Sequence, residues 1–182
     1  TSKPYKTNPD LMYVDQIHQY YRSLYKKNYS VDMIPTDGDF SKYQVIVAPV
    51  LYMVKEGVAE ALEAFVKAGG TLITTFMSGI VGQSDNVYLG GYPGPLRSRA
   101  GVWVEEIDAL APEQENTVRF QDGTTGTCRL LCDLMHTEGA EVIAEYTSNF
   151  YAGMPAVTKN SYGKGTVYYV GANLDEASLD RV

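Results

Sequence analysis

The chain has 182 residues, of which 45% are hydrophobic and 20% charged; this fits one globular domain and excludes a multidomain assembly and a disordered chain. Fifteen Lys and Arg against 22 Asp and Glu give a net charge of -7, and no basic run exceeds Lys26-Lys27, so a nucleic-acid partner is excluded for want of a concentrated positive surface. The longest apolar run, Val45 to Val54 interrupted by Pro49, falls far short of the roughly 20 residues of a bilayer-spanning helix; no membrane partner is expected, and the cytoplasm is the expected compartment.

Leu11, Val14, Ile17, His18, Tyr21, Leu24 and Tyr25 recur at steps of three and four. This spacing predicts an amphipathic helix over residues 10–28 with that stripe against the core. Asn8 or Asp10 caps its start and Asn28 its end. Residues 29–34 alternate and then meet Pro35 and Asp37-Gly38-Asp39, which reads as a strand and a turn. Residues 43–50 are nearly continuously apolar and rich in β-branched side chains, the pattern of a strand buried on both faces of a parallel sheet. A helix over 55–68 directs Val58, Ala61, Leu62, Phe65 and Val66 to one side and stops at Gly69-Gly70. A second buried strand over 71–76 completes a βαβ unit.

Between Met77 and Gly101 the periodicity stops, and residues 78–100 hold five glycines and two prolines. An irregular stretch of that length inside a compact domain is usually functional. Val102-Trp103-Val104 resumes a strand, followed by Glu105-Glu106 and a turn-rich segment to Asn116. Further strands are expected at 117–120, 128–131, 141–146, 155–159 and 165–171. The expected architecture is α/β, a three-layer arrangement around an open, mostly parallel sheet. Such a domain normally begins with a central strand, so a chain opening on a helix is expected to be a fragment without its first strand, and the ending at residues 179–182 reads as cut.

Histidine chemistry is confined to His18, on the apolar side of the first helix and read as packed there, and His136. Ser78 lies in an elbow-like stretch, Thr75 to Gly79. The nucleophile-elbow frame is incomplete, because Phe76 and Ile80 stand where glycines belong. Glu105, Glu106 and Asp108 are adjacent in sequence, yet neighbours along a strand face opposite ways; they read as surface charge or a hydrogen-bonding cluster against Arg97 or Arg99. Cys128 and Cys132 have no histidine pair nearby, so no metal site is expected. They are ordinary reduced thiols, or else a local disulfide or redox pair; in a helix they would share a face. Tyrosine is abundant, 15 residues against five Phe and one Trp, which suits subunit contacts and sugar-facing surfaces.

The blocks YQVIVAPVLYMV, FVKAGGTLITTFMSGIVGQSDNVYLGGYPGPLR, GVWVEEID and EYTSNFYAGMPAVTKNSYGKGTVYYVGANLD together resemble, in order and over residues 13–175, the central trimerisation domain (domain B) of family 42 glycoside hydrolases, the β-galactosidases. The resemblance implies a flavodoxin-like fold akin to class I glutamine amidotransferases. It implies a domain that follows a catalytic (β/α)8 barrel holding both catalytic glutamates. A barrel needs at least about 200 residues, so this chain is expected to contain no catalytic residue, to use no cofactor, and to meet a galactoside only within the full-length enzyme. Its implied partners are two further copies of itself in a homotrimer and the barrel of the same parent protein. The family's strand of FD-x-x-N-x-W type is absent ahead of residue 1, in line with a missing first strand. Laid on the amidotransferase elbow, Met77 occupies the nucleophile position, and a thioether cannot be deprotonated to attack an amide.

Within this reading the loop 78–99 is the expected trimer interface. Tyr88, Tyr92, Pro93 and Leu96 bury apolar area there, and Asp85, Arg97 and Arg99 supply polar contacts. Trp103 is a candidate to approach a neighbour's galactoside pocket. Two alternatives stand beside it: an amidotransferase-like hydrolase using Ser78 with His136, and a carbohydrate-binding module that uses exposed tyrosines.

Overall fold

A computed structural model describes residues 13–182. Helix α1 (Tyr13–Lys26) forms as the spacing predicts. It stops where Asn28 takes a left-handed φ of 61° and its N–H bonds to the Tyr25 carbonyl at 2.9 Å. Leu11 and the expected caps Asn8 and Asp10 lie outside the described residues. The buried face differs from the expected one: Gln16, Tyr20 and Ser23 are buried, whereas Val14, His18 and Tyr25 are exposed. The cause is the partner. Helix α4 (Glu176–Leu179) leads into Asp180, which accepts from the Ser23 hydroxyl, while Lys26 pairs with Glu176. Gln19 donates to the Leu174 carbonyl at 2.6 Å. The helix is thus held by its polar side.

Residues 29–35 are extended, but the expected strand is absent, because among the described residues they have no ladder partner. A 3₁₀ turn, Phe40–Lys42, capped by the Asp39 carboxylate, leads into β1 (Val45–Ala48). Helix α2 (Val58–Lys67) then crosses to β2 (Thr71–Thr75), parallel to β1 in the register Val45↔Thr71 to Ala48↔Thr74. That is the βαβ unit read from the sequence. Two details differ. β1 is the edge of the sheet with Val45 48% exposed, so it is not buried on both faces, and Ala59 rather than Ala61 joins the core.

The remaining strands are β3 (Val102–Ala109), β4 (Asn116–Phe120), β5 (Thr125–Thr137), β6 (Glu141–Tyr146), β7 (Pro155–Tyr162), β8 (Gly165–Val170) and β9 (Ala172–Leu174). With β1 and β2 they make, among the described residues, one mixed sheet of nine strands in the order β1-β2-β8-β7-β6-β4-β5-β3, with β9 on β5. Among the described residues only the β1/β2 and β2/β8 strand pairs are parallel. The expectation of a mostly parallel sheet is therefore corrected. Several connections in the second half are tight turns such as Gly163-Lys164, and a turn that short can only join antiparallel strands. β3 bulges between Val104 and Glu106 and runs on to Ala109, into the first residues of the segment expected to be turn-rich.

Two apolar clusters fill the domain. One gathers Leu62, Val66, Leu72, Val102, Val104, Met135 and Tyr169 about α2 and the parallel strands. The other gathers Val118, Phe120, Leu134, Tyr146, Val157 and Leu174 along the antiparallel strands. Asp133 is also interior: its Oδ2 accepts from the Tyr169 hydroxyl at 2.8 Å, and its Oδ1 has no partner. Burial pushes its carboxyl up to about 7, because the charged form loses its hydration.

Candidate functional site at the carboxyl ends of the parallel strands

Ligands of open α/β sheets bind outside the carboxyl ends of the parallel strands. At that edge β1 runs into Val50 at φ 48° and β2 into Met77 at φ 57°. Both are non-glycine residues in the left-handed region, a sparsely populated conformation that surrounding contacts must hold. The Val50 N–H is held by the Thr75 hydroxyl at 2.7 Å. Met77 thus sits on a sharp turn directly after a strand.

The chain itself fills the space above. Gly79 and Ile80 donate to the carbonyls of Leu51 and Tyr52 at 2.9 and 3.0 Å, and Val54 donates to Val81 at 2.9 Å. The Tyr88 hydroxyl reaches the Val54 carbonyl at 3.1 Å. Position 79 has to be glycine, since φ is 65° and a Cβ would overlap the Pro93 carbonyl. The irregular stretch read from the sequence is therefore a packed plug, finished by the 3₁₀ turn Gly94–Leu96 and the short helix α3 (Arg97–Ala100).

Ser78 is fully buried beneath this plug, its oxygen accepting from the Leu51 N–H and the Thr74 hydroxyl, both at 3.0 Å. His136 lies instead on β5, with Nε2 2.8 Å from Glu105 Oε2 and its ring stacked on Trp103 at 5.1 Å. Each residue of the supposed nucleophile and base pair is committed to other partners. The hydrolase reading has no assembled site.

Of the expected interface residues, Asp85 is exposed. Pro93 and Leu96 are buried inside the protomer, and Tyr88 and Tyr92 pack against the first apolar cluster. Arg97 forks onto Glu138, with Nε to Oε2 at 2.7 Å, and donates to the Gly90 carbonyl at 2.5 Å. Arg99 pairs with Glu63, so neither arginine meets Glu105, Glu106 or Asp108. Glu63 also accepts from Lys67 at 2.6 Å and from the Tyr162 hydroxyl at 2.9 Å. These donors, Lys67 first, lower its carboxyl to about 2. Trp103 lies under the loop, with Arg97 5.5 Å from its ring centre and Gly91 against its Nε1.

The apolar side chains that face outward were not singled out from the sequence. Leu89 is 96% exposed, with Val87 and Tyr52 also exposed. The signal was present as two apolar residues in the otherwise polar turn stretch Ser84 to Gly91, where no core periodicity explains them. A second apolar feature is a groove of about 840 Å³ whose walls include Ile17, Tyr21 and Leu24 of α1, residues 29–36, and the outer side of β1.

Residues 2–182 match the β-galactosidase trimerisation domain as a family. The chain is 54% identical over 175 residues to β-galactosidase BgaA of Planococcus sp. (strain 'SOS Orange'), covering 93% of this chain and 26% of that protein. It is 50% identical over 173 residues to β-galactosidase LacA of Lactobacillus acidophilus, covering 95% and 26%. In structure it is similar to the β-galactosidase of Bacillus circulans sp. alkalophilus, with a TM-score of 0.92 and 48% identity over 93% of this chain and 26% of that one. The chain spans about a quarter of the length of the relatives it matches.

Proposed function

Because the chain belongs to the β-galactosidase trimerisation-domain family, we propose that it is a non-catalytic assembly domain joining three copies of a β-galactosidase. In this reading hydrolysis of terminal β-galactosides belongs to a catalytic barrel elsewhere in the parent polypeptide. The observation that carries it is the loop. The crevice in which an α/β enzyme would work is plugged from within, and the plug's outer surface presents Leu89, Val87 and Tyr52.

A threefold ring requires a heterologous contact between two different patches on each subunit. We assign the loop tip as one of them. Leu89 and Val87 supply the apolar anchor and Asp85 a polar rim, while Tyr88, Tyr92, Pro93 and Leu96 stiffen the loop from beneath and the Arg97–Glu138 and Arg99–Glu63 pairs tie its base. A stiff loop loses less conformational freedom on association. Trp103 belongs to that support, its indole engaged by His136 and Arg97. The filled crevice and the elbow at Met77 favour descent from an amidotransferase-like scaffold whose chemistry is gone. The groove between α1, residues 29–36 and β1 is the seat of one more strand of the parent polypeptide, since among the described residues the extended residues 29–35 have no ladder partner and β1 is paired on one side only, with β2.

Light scattering across a concentration series tests the assembly. The expected result is a mass near three times 20.1 kDa for the chain, falling to one protomer in a Val87→Asp, Leu89→Asp double variant with an unchanged circular dichroism spectrum. A trimer that survives both substitutions removes the loop from the interface.

A further inference from the structure

Cys128 and Cys132 lie four residues apart on β5, and a regular strand would hold them about 13 Å apart. Their sulfurs are 3.7 Å apart. The cause is a corner in the strand. β5 is in register with β4 up to Asn116↔Cys128 and with β3 from Ala109↔Leu131. Between them its register with β9 shifts from Arg129↔Asn173 to Cys132↔Ala172. The surplus residues fold out as a bulge with Leu130 at φ 65°. A branched side chain in the left-handed region is unfavourable there, and the outcome of that conformation is two buried thiols in contact.

We infer that Cys128 and Cys132 are a redox site, closing to an intramolecular disulfide under a peroxide oxidant and reopening under a thiol reductant. Closure moves the sulfurs from 3.7 Å to about 2.05 Å, a shift within reach of rotamer change at a bulge. The two thiols share one hydrogen bond, which lowers the Cys132 thiol and raises Cys128. Cys132 is accordingly the attacking thiolate. It attacks one peroxide oxygen: an S–O bond forms, the O–O bond breaks, and the departing hydroxide takes up a proton as water. Cys128 gives up its proton and attacks the Cys132 sulfur, so that the S–S bond forms, the S–O bond breaks and a second water leaves. The two thiols lose two electrons, and the peroxide gains them. Both thiols are buried, so the reaction proceeds through a local opening at the bulge that admits hydrogen peroxide.

The bond bears on β9, because Cys128 is in register with Leu174 and Cys132 with Ala172. Leu174 also accepts from Gln19 of α1.

The test treats the full chain with hydrogen peroxide, alkylates it in denaturant and maps the peptide that contains both cysteines. The expected product is that peptide unalkylated and lighter by two hydrogen atoms, returning to the doubly alkylated form after dithiothreitol, with altered amide exchange at Ala172–Leu174 in the oxidised state. Full alkylation after peroxide, a disulfide between chains, or a sulfinic acid on either cysteine would overturn the inference. As a second measurement, Cys128→Ser and Cys132→Ser, which keep a hydrogen-bonding group at the exchanged position and are each checked by circular dichroism, separate the roles. The thiol left in Cys128→Ser should react with peroxide faster than the one left in Cys132→Ser, and equal rates would refute the assignment of Cys132 as nucleophile.

Discussion

The parallel part of the sheet (β1, β2, β8) and the antiparallel part (β3 to β7 with β9) meet the same burial problem with opposite results. The parallel part ends in surfaces that need something else: an edge strand with Val45 half exposed, a groove beneath α1, strained turns at Val50 and Met77, and a loop tip carrying Leu89. The antiparallel part turns its polar groups inward. Tyr169 bonds to Asp133, Tyr151 donates to Asp108 at 2.7 Å, and β5 alone pairs with β3, β4 and β9. Hairpins close on themselves, whereas parallel strands leave long connections and free ends. The partner contacts proposed above therefore fall on the parallel part.

The sharpest way to break this contrast is to ask whether the two parts unfold together. Leu72→Ala in the first cluster and Leu134→Ala in the second should each cost about 2–5 kcal/mol. Both should lower one shared calorimetric transition, and two separated transitions in either variant would divide the domain. Next in size is Asp133→Asn. A carboxyl raised to about 7 in the folded state holds more protons than it does unfolded, so its contribution is complete below pH 4 and is lost as pH rises through 7. The raised value corresponds to a penalty on the order of 4 kcal/mol above pH 7. Asp133→Asn should therefore be more stable than the parent at pH 8 in urea unfolding and lack its decline between pH 4 and 7; parallel pH profiles would show that the carboxyl does not titrate there.

A smaller gain is expected from supplying the strand proposed for the groove. A chain lengthened by the parent's adjoining residues should melt several degrees higher, as one or two newly buried apolar side chains at about 1.5–3 kcal/mol each would produce. It should also protect the outer amides of Val45–Ala48 from exchange. Unchanged exchange at β1 would leave the groove without that occupant. The smallest effect belongs to Glu63, on the parallel part and opposite in sign to Asp133. Its lowered carboxyl contributes stability above about pH 4.5 that is lost as pH falls through about 2. Glu63→Gln should be slightly less stable than the parent at neutral pH and match it below about pH 2, and parallel pH profiles would show that Lys67, Tyr162 and Arg99 do not hold the carboxylate in solution.

Local patterns in the sequence determined a good deal. The βαβ unit from β1 to β2, the end of α1 at Asn28, the irregular stretch after Met77 and strand β6 follow from side-chain period, β-branching and turn residues. The family was also legible, through ordered blocks across most of the chain. Only the tertiary structure decided which face of α1 is covered, because the Asp180 and Glu176 that grip its polar side lie some 150 positions away. It likewise decided that Pro93 and Leu96 turn inward while Leu89 turns outward, and that a corner at Leu130 brings Cys128 against Cys132. The physical reason is common to all three. Periodicity records that a residue has an apolar or polar side, but the neighbour that side meets is set by strand order and long-range register, which no local window of the chain contains.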